Sequence, residues 1–210
     1  MSIPDEDFYA SDFPIEGGYS LFSPWNGYGA FGERWRQSRT TFPRIRLYYI
    51  HQLLFQALAC GEGEVWELGV WRGESAAFLG QSISHTGRKL RLFDTFQGMP
   101  DTDPNVDWHK KGDFSDTSLD LVKSRLAHTS CPDVDYMVGT VPETFAGLDN
   151  RKIVFAHVDL DIYWPIKASC EFIFPRLPIG GAMLLTITVG QHAPAPERPS
   201  TNTSHRGRNR

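Results

Sequence analysis

Short apolar segments alternate with helix-forming segments along most of the chain, and this alternation limits its fold more than any other feature. Five apolar segments have strand-like composition: 64–70, 89–96, 134–138, 152–161 and 182–189. Four segments have helical spacing of apolar residues: 44–59, 75–84, 118–126 and 164–177. Such alternation predicts an α/β fold with a parallel sheet, helices on both faces and ligands at the carboxyl ends of the strands.

The two ends of the chain differ in composition from this middle part. Residues 1–43 are rich in glycine, proline and aromatic side chains, which predicts an irregular arm that covers the core, closes as a lid or contacts a second copy. Residues 190–210 contain no aliphatic side chain larger than alanine, so they predict a disordered, basic tail. Between them, residues 44–189 form the predicted core domain.

Charge and cysteine content exclude several classes of protein. The net charge is −4, and because residues 191–210 carry four arginines and one glutamate, the acidic charge lies in the rest of the chain. An acidic body repels phosphate, so a nucleic-acid partner is not expected. Three separated cysteines without a CxxC pair indicate a reducing compartment. With no signal-like or membrane-spanning run, we expect a cytoplasmic protein without a membrane partner, and leave a homo-oligomer open.

Acidic residues end the first two predicted strands on either side of a glycine turn. Glu67 is followed by Gly69 and Gly73, and Asp94 lies 27 positions after Glu67 at the end of the next strand. A carboxylate there can accept hydrogen bonds from ribose hydroxyls, whereas Trp71 and Arg72 add bulk where a dinucleotide fold needs glycine. The pattern therefore favours a nucleoside that carries a cationic sulfonium and an amino acid.

Several motifs together resemble a known family. They are Glu67-Leu-Gly-Val-Trp-Arg-Gly73, Asp94-Thr-Phe-Gln-Gly-Met-Pro100, Gly112-Asp-Phe114, Gly139-Thr-Val-Pro-Glu-Thr-Phe145, Asp159-Leu-Asp-Ile-Tyr163 and Pro175-Arg-Leu-Pro-Ile-Gly-Gly181. This combination resembles the S-adenosylmethionine-dependent O-methyltransferases of the macrocin and mycinamicin type, which act on sugar hydroxyls of macrolide antibiotics. The resemblance implies a class I methyltransferase fold with strand order 3-2-1-4-5. It also implies cofactor contacts from Glu67, Gly69, Trp71, Gly73, Ser75, Asp94 and Gly139.

The resemblance further implies a divalent metal, usually Mg²⁺, beside a small-molecule hydroxyl substrate. Asp159 takes the role of metal ligand and of catalytic base, which is chemically reasonable because a bound cation lowers the pKa of a hydroxyl and a carboxylate then accepts its proton. Asp161 is expected to support the turn. His157 is interpreted as a core histidine rather than a ligand. The polar loop that contains Asp101, Asp103, Asp107 and His109 is either a substrate lid or a solvated loop.

The sequence departs from the family pattern at residue 186. The family has Asp-Asp-Tyr-Gly after two glycines and four apolar residues, whereas this chain has Thr186-Ile-Thr-Val189. Thr186 and Ile187 cannot replace two metal-binding carboxylates. Deletion of the first base from the codons GAC GAT TAC GGT C gives ACG ATT ACG GTC, which encodes Thr-Ile-Thr-Val. We therefore expect a frameshifted or divergent C-terminus from residue 186, a truncated sheet of five strands instead of seven, and impaired methyl transfer.

Two other functions remain open at this stage. A non-catalytic S-adenosylmethionine-binding remnant would keep the cofactor half, because its residues precede position 186. A nicotinamide-dependent oxidoreductase is disfavoured by Trp71 and Arg72. The leading interpretation is an O-methyltransferase that acts on a sugar or another small-molecule natural product.

Overall fold

The computed structural model of the protein describes residues 44–186, with side chains from Arg46 onward. The predicted arm over 1–43, the predicted tail over 190–210 and Ile187 lie outside the described residues. The four helices are α1 Arg44–Cys60, α2 Glu74–Ile83, α3 Leu119–Leu126 and α4 Tyr163–Ile173. The five strands are β1 Glu64–Leu68, β2 Leu90–Asp94, β3 Val134–Val138, β4 Ile153–Val158 and β5 Ala182–Leu185.

All described strand pairs are parallel, and the sheet has the order β3-β2-β1-β4-β5. This confirms the α/β class and the predicted order. The order changes direction at β1, because the chain first adds β2 and β3 on one side and then β4 and β5 on the other. Loops that leave β1 and β4 diverge at that point, and the crevice between them is where open α/β sheets bind ligands.

Apolar side chains fill both faces of the sheet. One core combines α1, α2 and α3 with strand residues such as Val65 and Phe155. The other contains Trp66 and Ile173, with the stacked rings of Phe145 and Phe172 at 4.4 Å between centroids. Because successive strand residues point to opposite faces, a strand buried on both sides is apolar at almost every position. β4 is buried throughout, and His157 is the one polar residue within it.

The helices pack on this sheet according to their apolar faces. α1 is the longest at 17 residues, and its Leu47, Ile50 and Leu54 are buried, as the helical spacing predicts. The predicted helix over 164–177 ends earlier, at Ile173, and Phe174–Arg176 forms a 3₁₀ turn around Pro175. No helix within residues 44–186 has the length and hydropathy that a membrane span requires.

β1, β2 and β4 end earlier than the sequence predicts, and at β1 and β4 the chain then turns through a left-handed backbone conformation. β1 stops at Leu68 because Gly69 has φ 84°, and β4 stops at Val158, shortly before Asp161 with φ 56°. Both residues leave the extended conformation in the left-handed region. The turns that follow these two strands line a cavity.

Candidate functional site

A cavity of about 230 Å³ lies at the carboxyl ends of the strands. Its walls are the segments that follow β1, β2, β3 and β4, the first turn of α2, the loop over 98–117 and Arg46 of α1. Among the residues predicted to contact a cofactor, five line this cavity: Gly69, Trp71, Ser75, Asp94 and Gly139. Glu67 and Gly73 are absent from its lining. Asp159, the predicted catalytic residue, also lines it.

Gly69 brings the turn after β1 against the end of β4. A Cβ at this position would lie 2.0 Å from the carbonyl oxygen of Asp159, and φ is 84°. Contact that close, in a left-handed conformation, admits only glycine. The Gly69 N–H donates to the carbonyl of Phe93, and the Asp159 N–H donates to that of Leu68. The turn is therefore fixed to both neighbouring strands.

Gly73 starts α2 rather than contacting the cavity. It is the N-cap residue, with φ 79° and no side-chain cap for the helix, and a Cβ there would meet Val122 at 3.1 Å. Its role is to let α2 pack closely on α3. The uncapped first turn of α2 includes Glu74 and Ser75, which line the cavity, and free helix N–H groups attract anionic ligand atoms.

Asp94 holds the glycine turn with its carboxylate. Its Oδ2 accepts from the backbone N–H groups of Val70 at 2.7 Å and Trp71 at 3.0 Å, and its Oδ1 accepts from that of Phe96 at 2.7 Å. An ionised carboxylate offers about four acceptor sites. Three backbone donors therefore leave little capacity for the two ribose hydroxyls that the sequence assigns to this residue. The structure shows a side chain that organises the turn.

Trp71 ties the same turn to the loop that closes the cavity. Its Nε1–H donates to Asp116 Oδ1 at 2.7 Å, and its carbonyl accepts from the Thr117 hydroxyl. Its ring meets that of Phe114 edge-on, with centroids 5.7 Å apart. Trp71 itself has φ 46°, a rare conformation for a bulky residue. These contacts hold Trp71 in the cavity lining. The sequence predicts Trp71 as a cofactor contact but not its bonds to the loop.

Glu67 and His157 form a buried pair beneath the cavity. Both side chains have no solvent exposure, and they are neighbours in the register of β1 and β4. Nδ1 of His157 lies 2.9 Å from Glu67 Oε1, and its Nε2 lies 2.9 Å from the Thr186 hydroxyl. His157 is thus a hydrogen-bonded core histidine, as interpreted from the sequence. Glu67 faces this histidine instead of the cavity that the resemblance assigns to it.

Asp159 is a buried carboxylate in the cavity wall. Its Oδ1 is buried and has no hydrogen-bond partner among the described residues. Burial raises the pKa of Asp159 to about 6, and Asp161 and Glu67 contribute to the increase, whereas His157 and Arg46 oppose it. A carboxyl group with a pKa close to neutrality can take up and release a proton at working pH, which suits a general base.

Two basic side chains approach Asp159 and Asp161 from other elements, Arg46 in the cavity lining and His109 outside it. Arg46 belongs to a helix that the sequence presents as a packing element, and it is the cation that most affects Asp159 from outside the sheet. His109 comes from the loop after β2, and its Nε2 lies 3.9 Å from Asp161 Oδ2. Its Nδ1 lies 3.2 Å from Asp113 Oδ2. Hydrogen bonds from the backbone N–H of Lys110 and, to a smaller extent, from His109 lower the pKa of the Asp113 carboxyl.

The loop over 101–113 is ordered against α4 rather than merely solvated. Asp107 Oδ1 accepts from the backbone N–H of Tyr163 at 2.8 Å, which caps the start of α4, and its Oδ2 accepts from the N–H of Asp103. Asp101 stays on the surface, paired with Lys111. The loop is therefore held against α4, and the residues that flank it, Pro100 and Phe114, line the cavity.

An apolar ledge surrounds this Asp107 contact. It consists of Val106 and Trp108 on the loop and Tyr163 and Trp164 on α4, each exposed over more than half of its surface. The ledge adjoins the cavity, since Ile162 and Pro165, on either side of Tyr163 and Trp164, line it. Exposed apolar patches of this kind commonly contact a ligand or partner.

A divalent metal does not fit the described residues. Mg²⁺ requires several oxygen ligands in near-octahedral geometry. Residues 44–186 contain no group of three carboxylate, histidine or cysteine side chains that could hold an ion. Thr186, at the first of the two expected partner positions, has its hydroxyl bonded to His157. Ile187 lies outside the described residues, and its side chain has no donor atom.

Comparison with protein families identifies the chain. The family model of macrocin O-methyltransferase (TylF) matches residues 31–191, more than half of the sequence. The chain belongs to this TylF family. The resemblance inferred from the motifs is therefore confirmed.

Two curated relatives share a quarter of their aligned residues with this TylF-family chain. One is the 8-demethyl-8-(2,3-dimethoxy-alpha-L-rhamnosyl)-tetracenomycin-C 4'-O-methyltransferase of Streptomyces olivaceus, 25% identical over 135 residues, which are 59% of this chain and 52% of that protein. The other is the mycinamicin III 3''-O-methyltransferase of Micromonospora griseorubida, 25% identical over 179 residues, which are 74% of this chain and 70% of that protein. The chain thus spans about half the length of the first relative.

Solved structures support the fold. The calicheamicin methyltransferase CalS11 superposes with a TM-score of 0.58 and 20% identity, covering 88% of this chain and 79% of CalS11. The O-methyltransferase NovP superposes with a TM-score of 0.61 and 20% identity, covering 71% of this chain and 67% of NovP. Identities this low establish the class I methyltransferase fold alone.

Proposed function

We propose that this chain binds S-adenosylmethionine in the cavity and transfers its methyl group to a hydroxyl of a sugar or another small-molecule natural product. Membership of the TylF family supports the reaction class, and both curated relatives are named for O-methylation of glycosylated natural products. The observation that carries the proposal is the buried, unpartnered Asp159 oxygen in the wall of a cavity bounded by the Gly69 turn.

The charge of the cavity suits the cofactor. Four acidic residues and one arginine, Arg46, line it: Glu74, Asp94, Asp159 and Asp161 are the acids. A sulfonium cation and an ammonium group are attracted to such a wall, which is partly shielded from solvent. The uncapped start of α2, beside Ser75, suits the cofactor's carboxylate. Gly139 leaves room at the end of β3 for the adenosine part.

Asp159 acts as the base in this proposal. When bound, the cofactor supplies a methyl group activated by its positively charged sulfur. Asp159 would hold the acceptor hydroxyl at Oδ1 and accept its proton, and the cofactor would supply the methyl group to the hydroxyl oxygen, with the electron pair of the carbon–sulfur bond left on sulfur. Positioned general bases contribute about 10²–10⁴-fold to rate. Without a cation to lower the pKa of the hydroxyl, we expect slow turnover.

The apolar ledge is assigned to the acceptor. Its four side chains adjoin the cavity on the side of Asp159 and Asp161, so an acceptor hydroxyl at the base leaves the rest of the molecule over the ledge. Trp164 and Tyr163 present aromatic surface there, with ring centroids 5.1 Å apart. Apolar and aromatic surface stabilises a bulky, weakly polar acceptor by burial.

A non-catalytic cofactor-binding protein is the second candidate. The hydroxyl of Thr186, in place of the family's carboxylate, favours it because a ligand of the expected metal is missing. A nicotinamide oxidoreductase gains no support from the family match.

Calorimetry and mass spectrometry separate these candidates. Titration with S-adenosylmethionine tests the cofactor site, and the mass of a deoxysugar-containing polyketide glycoside after incubation tests transfer. We expect binding and a slow gain of one methyl group, which Asp159→Asn removes and the exposed control Asp120→Asn keeps. Absence of cofactor binding contradicts the proposal. Cofactor binding without transfer to any glycoside selects the non-catalytic candidate.

A further inference from the structure

The ends of three adjacent strands are joined by side chains rather than by a metal. Glu67 on β1, His157 on β4 and Thr186 directly after β5 form one continuous row, with both hydrogen-bond distances at 2.9 Å. A carboxylate oxygen accepts, so Nδ1 of His157 donates to Glu67, and Nε2 bonds the Thr186 hydroxyl, which can donate or accept. The histidine and the glutamate are completely buried, and breaking such a pair is costly.

The row determines what position 186 offers to the cavity. Val158 pairs with Leu185, and the Thr186 N–H donates to the carbonyl of Val158, so Thr186 continues the register beside Asp159. Its hydroxyl is nevertheless bonded to His157, one step back along the same face, and Thr186 is absent from the cavity lining. Asp159 thus faces the cavity without an oxygen ligand from the neighbouring strand end.

We propose that the reaction centre of this chain is metal-independent, with the Glu67–His157 pair holding Thr186 away from the cavity and Asp159 acting as a single carboxylate base. This inference rests on the proposed methyl transfer for its chemical meaning. Its structural part does not depend on that function: the centre binds no divalent cation, because position 186 supplies a hydroxyl that is hydrogen-bonded to His157. No acceptor step then depends on a cation, and the proton passes directly to Asp159.

Mn²⁺ binding, followed by electron paramagnetic resonance on the full chain, tests the structural content. Mn²⁺ takes the same hard oxygen ligands as Mg²⁺. We expect the unaltered protein to bind Mn²⁺ no better than Thr186→Asn, and Thr186→Asp to bind it at least about tenfold more tightly, since a second carboxylate then lies beside Asp159. Thr186→Asn is the matched control, because it changes shape in the same way without adding charge.

Each outcome decides the inference. Stoichiometric Mn²⁺ binding by the unaltered protein overturns it, and this result requires no variant to fold. Equal, weak binding by all three proteins overturns the assignment of position 186 as the deciding ligand. Tight binding by Thr186→Asp alone supports it, as does a rate of methyl transfer that stays within about twofold when a chelator replaces added Mg²⁺.

Failure of the proposed function is recognised separately. If S-adenosylmethionine does not bind, the methyltransferase proposal is wrong, while the Mn²⁺ result still reports on the ligand set at Asp159. If the cofactor binds and transfer requires Mg²⁺, the proposed function stands and the metal-independent centre is wrong.

Discussion

The two halves of the cavity differ in how their polar groups are satisfied. On the side of β1 and β2, the Asp94 carboxylate accepts three backbone N–H bonds, and Gly69 is fixed to the strands on both sides. On the side of β4 and β5, Asp159 keeps a buried oxygen without a partner. The hydrogen bonds of Asp94 form a completed set within its turn, whereas Asp159 retains unused bonding capacity at the cavity, and Glu67 Oε2, away from the cavity lining, is likewise without a partner among the described residues.

Under the proposed function, this difference assigns cofactor binding to the Asp94 side and chemistry to Asp159. Satisfied hydrogen bonds hold a turn in one conformation, so the cofactor half costs little to organise when a ligand arrives. An unsatisfied buried carboxylate costs stability, and such groups concentrate at functional sites. Substitutions at both sides of the cavity and at the ledge, together with a change of pH, test this contrast.

Gly69→Ala is expected to have the largest effect. The added Cβ would overlap the carbonyl oxygen of Asp159, so the turn must separate from β4, and we expect a loss of more than about 4 kcal/mol in unfolding free energy together with loss of cofactor binding. Gly87→Ala is the control, because Gly87 also has a positive φ but has open space around it. Urea unfolding should show only about 1–2 kcal/mol for the control. Similar losses for both variants would mean that conformation, not contact, makes glycine necessary at position 69.

Asp159→Asn is expected to remove catalysis and spare cofactor binding. An amide of the same shape cannot take the acceptor's proton, so kcat should fall by about 10²-fold or more while the affinity for S-adenosylmethionine stays within a few-fold. Rates from mass spectrometry, with Asp120→Asn as control, measure the effect. Unchanged kcat would remove Asp159 from its catalytic role.

The pH dependence of stability should also change at Asp159. Because its pKa rises from 3.8 to about 6 on folding, the folded protein binds this proton more tightly than the unfolded chain does. The free energy of unfolding should therefore fall as the pH rises through this interval, by an amount on the order of 3 kcal/mol. Asp159→Asn should lose that component and be more stable than the unaltered protein at pH 7. If the free energies of urea unfolding of Asp159→Asn and of the unaltered protein changed in parallel with pH, the buried, unpartnered state of the carboxylate would be contradicted.

Asp94→Asn tests the completed half of the cavity. The amide oxygen can accept from Val70 and Trp71, but its NH₂ group then faces the donor N–H of Phe96. Hydrogen bonds to charged groups contribute about 1.5–3 kcal/mol each. Because the weakened turn lines the proposed cofactor site, we expect the affinity for S-adenosylmethionine to fall by about tenfold or more. Calorimetry measures this change, again with Asp120→Asn as control. If methionine, which lacks the ribose, bound equally to Asp94→Asn and to the unaltered protein, Asp94 would act on the ribose and not on the turn.

Trp164→Ala is expected to have the smallest effect, confined to the acceptor. Loss of an exposed indole from the ledge should raise KM for a glycoside acceptor by about tenfold, equivalent to roughly 1.4 kcal/mol, without changing kcat or cofactor affinity. Phe174→Ala is the control, because Phe174 is 70% exposed and lies beyond the end of α4, outside the cavity lining. Equal KM values for both variants would separate the ledge from acceptor binding.

Local sequence patterns predicted much of the fold. The helical spacing of α1, the apolar strands and the glycine turn depend on short-range periodicity and backbone conformation, which the sequence displays directly. Strand ends were predicted less well, because Asp161 adopts a positive φ that no local signal at an aspartate required. Nothing tests the predicted frameshift, arm or tail, which concern residues outside 44–186.

The candidate site was predicted only in part. Asp159 and Gly69 line the cavity as expected, but Glu67 faces His157, 90 positions away, and that contact exists only once β1 and β4 are neighbours. The sequence does not distinguish Arg46, which lines the cavity, from an ordinary charged residue on the surface of a packing helix. The ledge combines two loop residues with two helix residues, which the Asp107–Tyr163 hydrogen bond brings together across 56 positions.

The class of fold, the family and the strand ends that line the cavity follow from the sequence, since periodicity, glycine turns and ordered motifs are local properties. Only the tertiary structure decided how each acidic residue is used. Solvent exposure and hydrogen-bond partners depend on distant segments, and they make Asp94 a support for the turn and Glu67 a partner of His157, while Asp159 keeps one buried oxygen without a partner.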